Sequence, residues 1–124
     1  MILSRLLFAF ALPLASPVAA QPRAVPTIVF ESGLGDGAGV WDQMIKKLGD
    51  AAPVYAYDRP GYGRTPKPRT PRDPCSIATE LHDRLRIERI TPPYLLVGHS
   101  LGGQYAYAFA RLFPQETAGL VLVD

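Results

Sequence analysis

The stretch Tyr94-Leu95-Leu96-Val97-Gly98-His99-Ser100-Leu101-Gly102-Gly103 decides how the chain is read. Four apolar residues lead in and read as a buried strand. The run from Gln104 to Phe113 leads out and reads as a helix, with Leu101, Tyr105, Ala108, Phe109 and Leu112 at helical spacing and Pro114 as its stop. Between them lies G-x-S-x-G. In that strand-to-helix context the motif describes a nucleophile elbow. A strand that reverses into a helix within a few residues holds its apical residue in a strained conformation. Gly98 and Gly102 remove the side chains that would collide where strand and helix approach. The Ser100 hydroxyl is left clear of the backbone. The N–H of Leu101, at the start of the new helix, faces the space where an oxyanion would sit.

Length and composition bound the rest. The chain has 124 residues and a formal net charge of +2. Residues 1–20 carry one charge, Arg5, then the apolar run Leu6–Leu12 and the small-residue sequence Ser16-Pro17-Val18-Ala19-Ala20. This is the layout of a secretory signal peptide with cleavage after Ala20. The apolar run is too short to span a bilayer, and Pro13 and Pro17 interrupt it. The expectation is an exported protein, periplasmic or extracellular, with no stable membrane span after cleavage. A single domain over residues 21–124 remains, without the basic footprint of a nucleic-acid binder. Cys75 is the one cysteine, so no disulfide forms within the chain, and a half-buried free thiol is expected.

After a polar linker, Thr27-Ile28-Val29-Phe30 reads as a buried strand, followed by the glycine-dense loop Glu31–Gly39. Val40–Leu48 reads as a helix with Trp41, Met44, Ile45 and Leu48 on one face and Gly49 as its stop. Val54–Tyr57 is the second strand, leading into Asp58-Arg59-Pro60-Gly61-Tyr62-Gly63-Arg64 and a basic, proline-rich connection. Asp73-Pro74 opens the next helix, with Ile77, Leu81 and Leu85 as its buried stripe and His82 on a solvent face. The last strand is Gly119–Val123, ending at Asp124. The order β-α-β-α-β-α-β, with continuously apolar strands, predicts an α/β fold: about four parallel strands in a three-layer α/β/α arrangement.

A second pattern competes. Gly33-Leu34-Gly35-Asp36-Gly37-Ala38 fits G-x-G-x-x-A between a strand and a helix, and Asp58 stands near the place of a ribose-binding acid. A dinucleotide-binding module would leave the Ser100 elbow an accident. It would also put a nicotinamide cofactor in an exported protein. The favoured reading therefore has no cofactor and no metal.

Taken together, Phe30–Gly37, Trp41, Asp58–Arg64, Gly98–Gly103 and the strand ending at Asp124 resemble the alpha/beta-hydrolase superfamily. The resemblance covers nearly all of residues 21–124. It implies Ser100 as nucleophile and the backbone N–H of Leu101 as one oxyanion donor. The second donor would be the N–H of Leu34, in Ser32-Gly33-Leu34, where many members have His-Gly-X. Gly98, His99 and Gly102 shape the elbow. A serine nucleophile implies a hydrolase of small-molecule esters or amides acting through an acyl-enzyme. Asp58 and Gly61 are expected to be structural.

A serine nucleophile needs a base and an orienting acid, in the order Ser, acid, His in this fold. The two histidines, His82 and His99, both precede Ser100. Asp124 is a weak candidate for the acid. The expectation is an N-terminal portion of a longer enzyme, inactive by itself. A shortened, non-catalytic relative that binds a ligand is the alternative. In either case the last strand is an open apolar edge.

Overall fold

The computed structural model describes residues 24–124. The signal-peptide reading of residues 1–20 falls outside them. Four parallel strands form one sheet: β1 (Thr27–Glu31), β2 (Val54–Ala56), β3 (Tyr94–His99) and β4 (Thr117–Val123), in the order β2-β1-β3-β4. Three helices connect them: α1 (Asp42–Leu48), preceded by a 3-10 turn at Ala38–Trp41, then α2 (Pro74–Ile87) and α3 (Leu101–Leu112).

The strand order explains the layering. The chain moves outward from β1 to β2, then crosses back past β1 to β3 and on to β4. Right-handed crossovers put helices on opposite faces when the direction of travel reverses. Side-chain alternation along the strands shows this. Val29, Tyr55, Tyr94 and Leu96 pack with Leu81, Leu85, Ala106 and Phe109 beneath α2 and α3. Ile28, Phe30 and Val97 pack with Trp41, Ile45 and Leu48 on the α1 face. The α/β/α layering and the parallel sheet are as the periodicity implies.

Some local readings change. The first helix begins as a 3-10 turn, and Met44 is 41% exposed while Trp41 is buried. The apolar stripe narrows to Trp41, Ile45 and Leu48, with Met44 at the rim. Trp41 anchors that face, its ring 4.7 Å from that of Phe30. His82 does not face solvent. Its ring stacks on Phe113 at 3.8 Å, and Nε2 lies 3.2 Å from Glu116 Oε1. The imidazole lies nearly parallel to the Phe113 ring, at 5°, and tilted against Phe109. Cys75 is exposed, not half-buried. β4 lies at the sheet edge with Val121 and Leu122 exposed, as expected for an open apolar edge.

The Asp73 cap is formed as the sequence implies. Its Oδ1 accepts hydrogen bonds from the N–H groups of Cys75 and Ser76, each at 3.0 Å. The Ser76 hydroxyl and these amides hold the Asp73 carboxyl below its ordinary value of 3.8. A folded-state value below the unfolded one stabilises the protein above the unfolded value. That contribution is lost as pH falls through the folded value. Asp73→Ala should lower Tm at neutral pH and flatten the dependence of Tm on pH in the acid range, as differential scanning fluorimetry would show. An unchanged acid limb in the variant would contradict this account of the cap.

Candidate active site

Strand order places the site. β1 and β3 are neighbours, with Glu31 paired to Gly98, but their connections leave in opposite directions. A crevice therefore opens beyond the carboxyl ends of these two strands, the place where open α/β sheets bind ligands. The glycine-dense loop enters it from β1 and the elbow from β3.

Ser100 stands at the apex of the elbow. It is exposed, with φ 51° and ψ −123°, a left-handed backbone that a residue with a side chain adopts only under constraint. Two hydrogen bonds impose it. The Ser100 N–H donates to the Val123 carbonyl at 3.0 Å, and the Gly103 N–H donates to the Ser100 carbonyl at 2.9 Å. The first glycine of the motif is required by contact. A Cβ on Gly98 would lie 2.6 Å from Gly103 Cα. The Val123 bond also brings the end of β4, and with it Asp124, to the site. Ser100 and Asp124 line one apolar cavity of about 670 Å³, together with Ala108, Leu112, Leu122 and Cys75.

The β1 loop carries Leu34, which is 74% exposed, and runs beside the elbow: a Cβ on Gly33 would lie 3.0 Å from His99 Nδ1. The base of this loop is held firmly. The Trp41 indole N–H donates to the Ser32 hydroxyl at 2.9 Å, and that hydroxyl donates to the Gly37 carbonyl at 3.1 Å. Trp41→Phe removes the donor and part of the buried ring. It should cost more than about 1 kcal/mol, the usual worth of a buried hydrogen bond, because a cavity is left beside Phe30. Urea unfolding would measure this, and an unchanged midpoint would show that the indole does not secure the loop.

Beneath the loop lies a group the sequence reading missed. Glu31 and Arg59 are 0% and 3% exposed. Arg59 Nη1 donates to Glu31 Oε2 at 3.0 Å, and the Tyr57 hydroxyl donates to Glu31 Oε1. Burial pushes the Glu31 carboxyl above its ordinary value, against the pull of Tyr57 and Arg59. Burial and the neighbouring Glu31 push Tyr57 well up, so it stays a protonated donor. A carboxylate at the end of an apolar strand was the available signal; its partner lies 28 residues away.

The other sequence candidates separate. His99 lies beside the loop, its Nδ1 3.9 Å from Asp36 Oδ2, a loose pairing between elbow and loop. His82 sits against residues at the far end of α3, which at 12 residues is about 18 Å long, so it cannot serve Ser100 as a base. Asp58 is structural, as expected. Its Oδ1 accepts from the Ala38 N–H at 2.7 Å, which ties the end of β2 to the start of the 3-10 turn. Among the described residues, no cluster of His, Cys, Asp and Glu could hold a metal.

The sequence of residues 28–124 matches the model of the alpha/beta hydrolase family. The chain belongs to the alpha/beta hydrolase family. Its relatives in that family include the abhydrolase domain-containing protein abhd-5.2 of Caenorhabditis elegans, 35% identical over 82% of this chain and 24% of that protein. The (lyso)-N-acylphosphatidylethanolamine lipase of Mus musculus is 33% identical over 78% of this chain and 29% of the lipase. The structure is similar to a thermophilic esterase from Thermogutta terrifontis: TM-score 0.71, 26% identity, over 80% of this chain and 36% of the esterase. This alpha/beta hydrolase chain thus spans between about a quarter and two-fifths of the length of these three proteins. No helix among its described residues is long and apolar enough to cross a membrane.

Proposed function

We propose that the chain is the nucleophile-bearing part of an exported serine hydrolase that cleaves carboxylic esters or amides through an acyl-enzyme. The observation that carries this reading is Ser100, exposed and held at φ 51° where β3 turns into α3. Strain of this kind persists where it is used. Ser100 Oγ attacks the substrate carbonyl carbon as its proton passes to a base. The carbonyl oxygen gains charge and accepts from the N–H groups of Leu101 and Leu34. Collapse expels the alcohol or amine, which takes the proton from the base, and water then hydrolyses the Ser100 ester. Asp124 is the acid candidate within reach of the site. His82 is committed to Phe113 and Glu116, and His99 pairs loosely with Asp36, so neither is assigned as the base.

The lipase and esterase relatives support hydrolysis of an ester or amide, and the apolar cavity beside Ser100 suits the carbon chain of a small-molecule substrate. The layout of residues 1–20 supports export. A second reading is a non-catalytic form that binds a ligand in the same apolar cavity beside Ser100. One experiment separates the two. The protein secreted by the source cells is treated with a fluorophosphonate, and its intact mass and labelled peptide are determined. A mass well above that of residues 21–124 with an adduct on Ser100 supports the hydrolase. A mass matching residues 21–124 with no adduct supports the binding form.

A further inference from the structure

We propose that Arg59 is a positioning residue, which aims the second oxyanion donor by gripping the carbonyl groups of the loop that carries it. The inference rests on the serine-hydrolase reading above.

The geometry is specific. Besides its bond to Glu31, Arg59 Nη1 donates to the Ser32 carbonyl at 2.6 Å, and Nη2 donates to the Gly33 carbonyl at 2.7 Å. Two successive carbonyls of the loop therefore point at one guanidinium. The Gly33 carbonyl and the Leu34 N–H belong to the same peptide plane, and in a planar trans peptide they point in opposite directions. Fixing the Gly33 carbonyl toward Arg59 therefore fixes the Leu34 N–H away from it, toward the open side of the loop. A cation on the carbonyl end also polarises the peptide and strengthens the N–H as a donor.

The guanidinium has no freedom to wander. The ring centroids of Tyr62 and Tyr105 lie 4.8 and 5.2 Å from its central carbon. Glu31 shares Nη1 with the Ser32 carbonyl. The planar fork is what allows one side chain to reach a carboxylate and two carbonyls at once; the point charge of a lysine cannot. As a stabilising device, a buried ion pair contributes little over apolar residues of similar volume. Its placement under this loop gives it a second use. Leu34 itself is exposed, so no packing of its side chain secures its N–H; besides Arg59, the Gly33 carbonyl accepts only a long turn bond from the Asp36 N–H at 3.4 Å.

The test uses the full protein with p-nitrophenyl butyrate as substrate and an alkyl boronate as tetrahedral-adduct mimic, with Ser100→Ala as the parallel control. Arg59→Lys should lower kcat about 100-fold, the scale of a misplacement near 1 Å, with KM nearly unchanged. Boronate affinity should fall in parallel. A purely structural role would lower the active fraction without weakening the boronate in the molecules that remain folded. Unchanged kcat and boronate affinity, with Ser100→Ala inactive, would overturn the role of Arg59. Activity retained in Ser100→Ala would overturn the parent reading and this inference with it. If Arg59→Lys does not fold, backbone relaxation of the wild-type protein decides. A Leu34 amide order parameter near 0.85 marks a held N–H, and a value below 0.6 marks a free one and overturns the proposal.

Discussion

Ser100→Ala should reduce kcat by about 10⁶-fold, the loss seen when a hydrolytic nucleophile that works as a unit with its base is removed. The fold should barely notice. Ser100 is exposed and its hydroxyl makes no capping hydrogen bond to α3, so its removal leaves no buried group unsatisfied. The left-handed backbone is imposed by the Val123 and Gly103 hydrogen bonds, which run through main-chain atoms and survive the substitution. Alanine adopts φ 51° with about the same strain as serine. Stability should therefore change by no more than about 0.5 kcal/mol, the range of surface substitutions. The measurement pairs hydrolysis of a p-nitrophenyl ester by the full protein with its thermal melt. A residual rate within tenfold of wild type would remove Ser100 from the chemistry. A collapsed melt would show that the hydroxyl is structural. Substrate affinity should be nearly unchanged, because the apolar cavity and both candidate oxyanion amides remain.

The elbow was legible because its requirements are local. Gly98, Ser100 and Gly102 stand at fixed spacing between a strand pattern and a helix pattern, and the contact that demands glycine at Gly98 lies within that spacing, whereas the one at Gly102 comes from the distant end of β1. Sheet class and layering were legible for a similar reason: Val29 and Leu96 alternate with Ile28 and Val97 in the periods that bury both faces. What escaped reading depends on residues far apart in sequence. Arg59 meets Glu31 only because β1 and β2 lie side by side in register, Phe30 opposite Ala56, so that their carboxyl ends share one buried corner. Single residues in a loop motif do not announce such a partner. His82 was misread because a helical wheel counts neighbours on its own helix, whereas Phe113 arrives just beyond another. Met44 was placed on the buried face because a wheel assumes α-helical winding from Val40, while the chain begins with a tighter turn that shifts the stripe.

Gly102→Ala should be the most damaging single-methyl change in the chain. A Cβ at this position would lie 2.2 Å from the Glu31 carbonyl oxygen and 2.5 Å from that of Ser32. Both are main-chain atoms. Glu31 is fixed by pairing with β3, and the Ser32 carbonyl is held by Arg59. Neither can turn aside as a side chain would. Inserting a methyl into a packed region costs about 1–3 kcal/mol where side chains can yield, and more where they cannot. Alanine is a better helix former than glycine, which returns about 1 kcal/mol within α3. The net loss should be at least about 2 kcal/mol. In a domain of this size each kcal/mol is worth about 4–8 °C, so Tm should fall by roughly 10 °C or more. Gly103→Ala is the matched control. Its added Cβ would meet Leu122 Cδ2 at 3.3 Å, the far end of an exposed side chain, and the Gly98 carbonyl oxygen at an ordinary contact distance of 3.8 Å. The same helix-propensity gain applies there, and Gly103→Ala should be neutral or slightly stabilising. The two glycines are adjacent on one helix, so the contrast isolates contact from propensity. Gly102→Ala should also lose activity in whatever fraction remains folded, because relief of the clash moves α3 away from the β1 loop and separates the Leu101 and Leu34 amides. Equal melting temperatures for the two variants would mean that α3 does not depend on this close approach, and that the glycine of the elbow is dispensable for the fold.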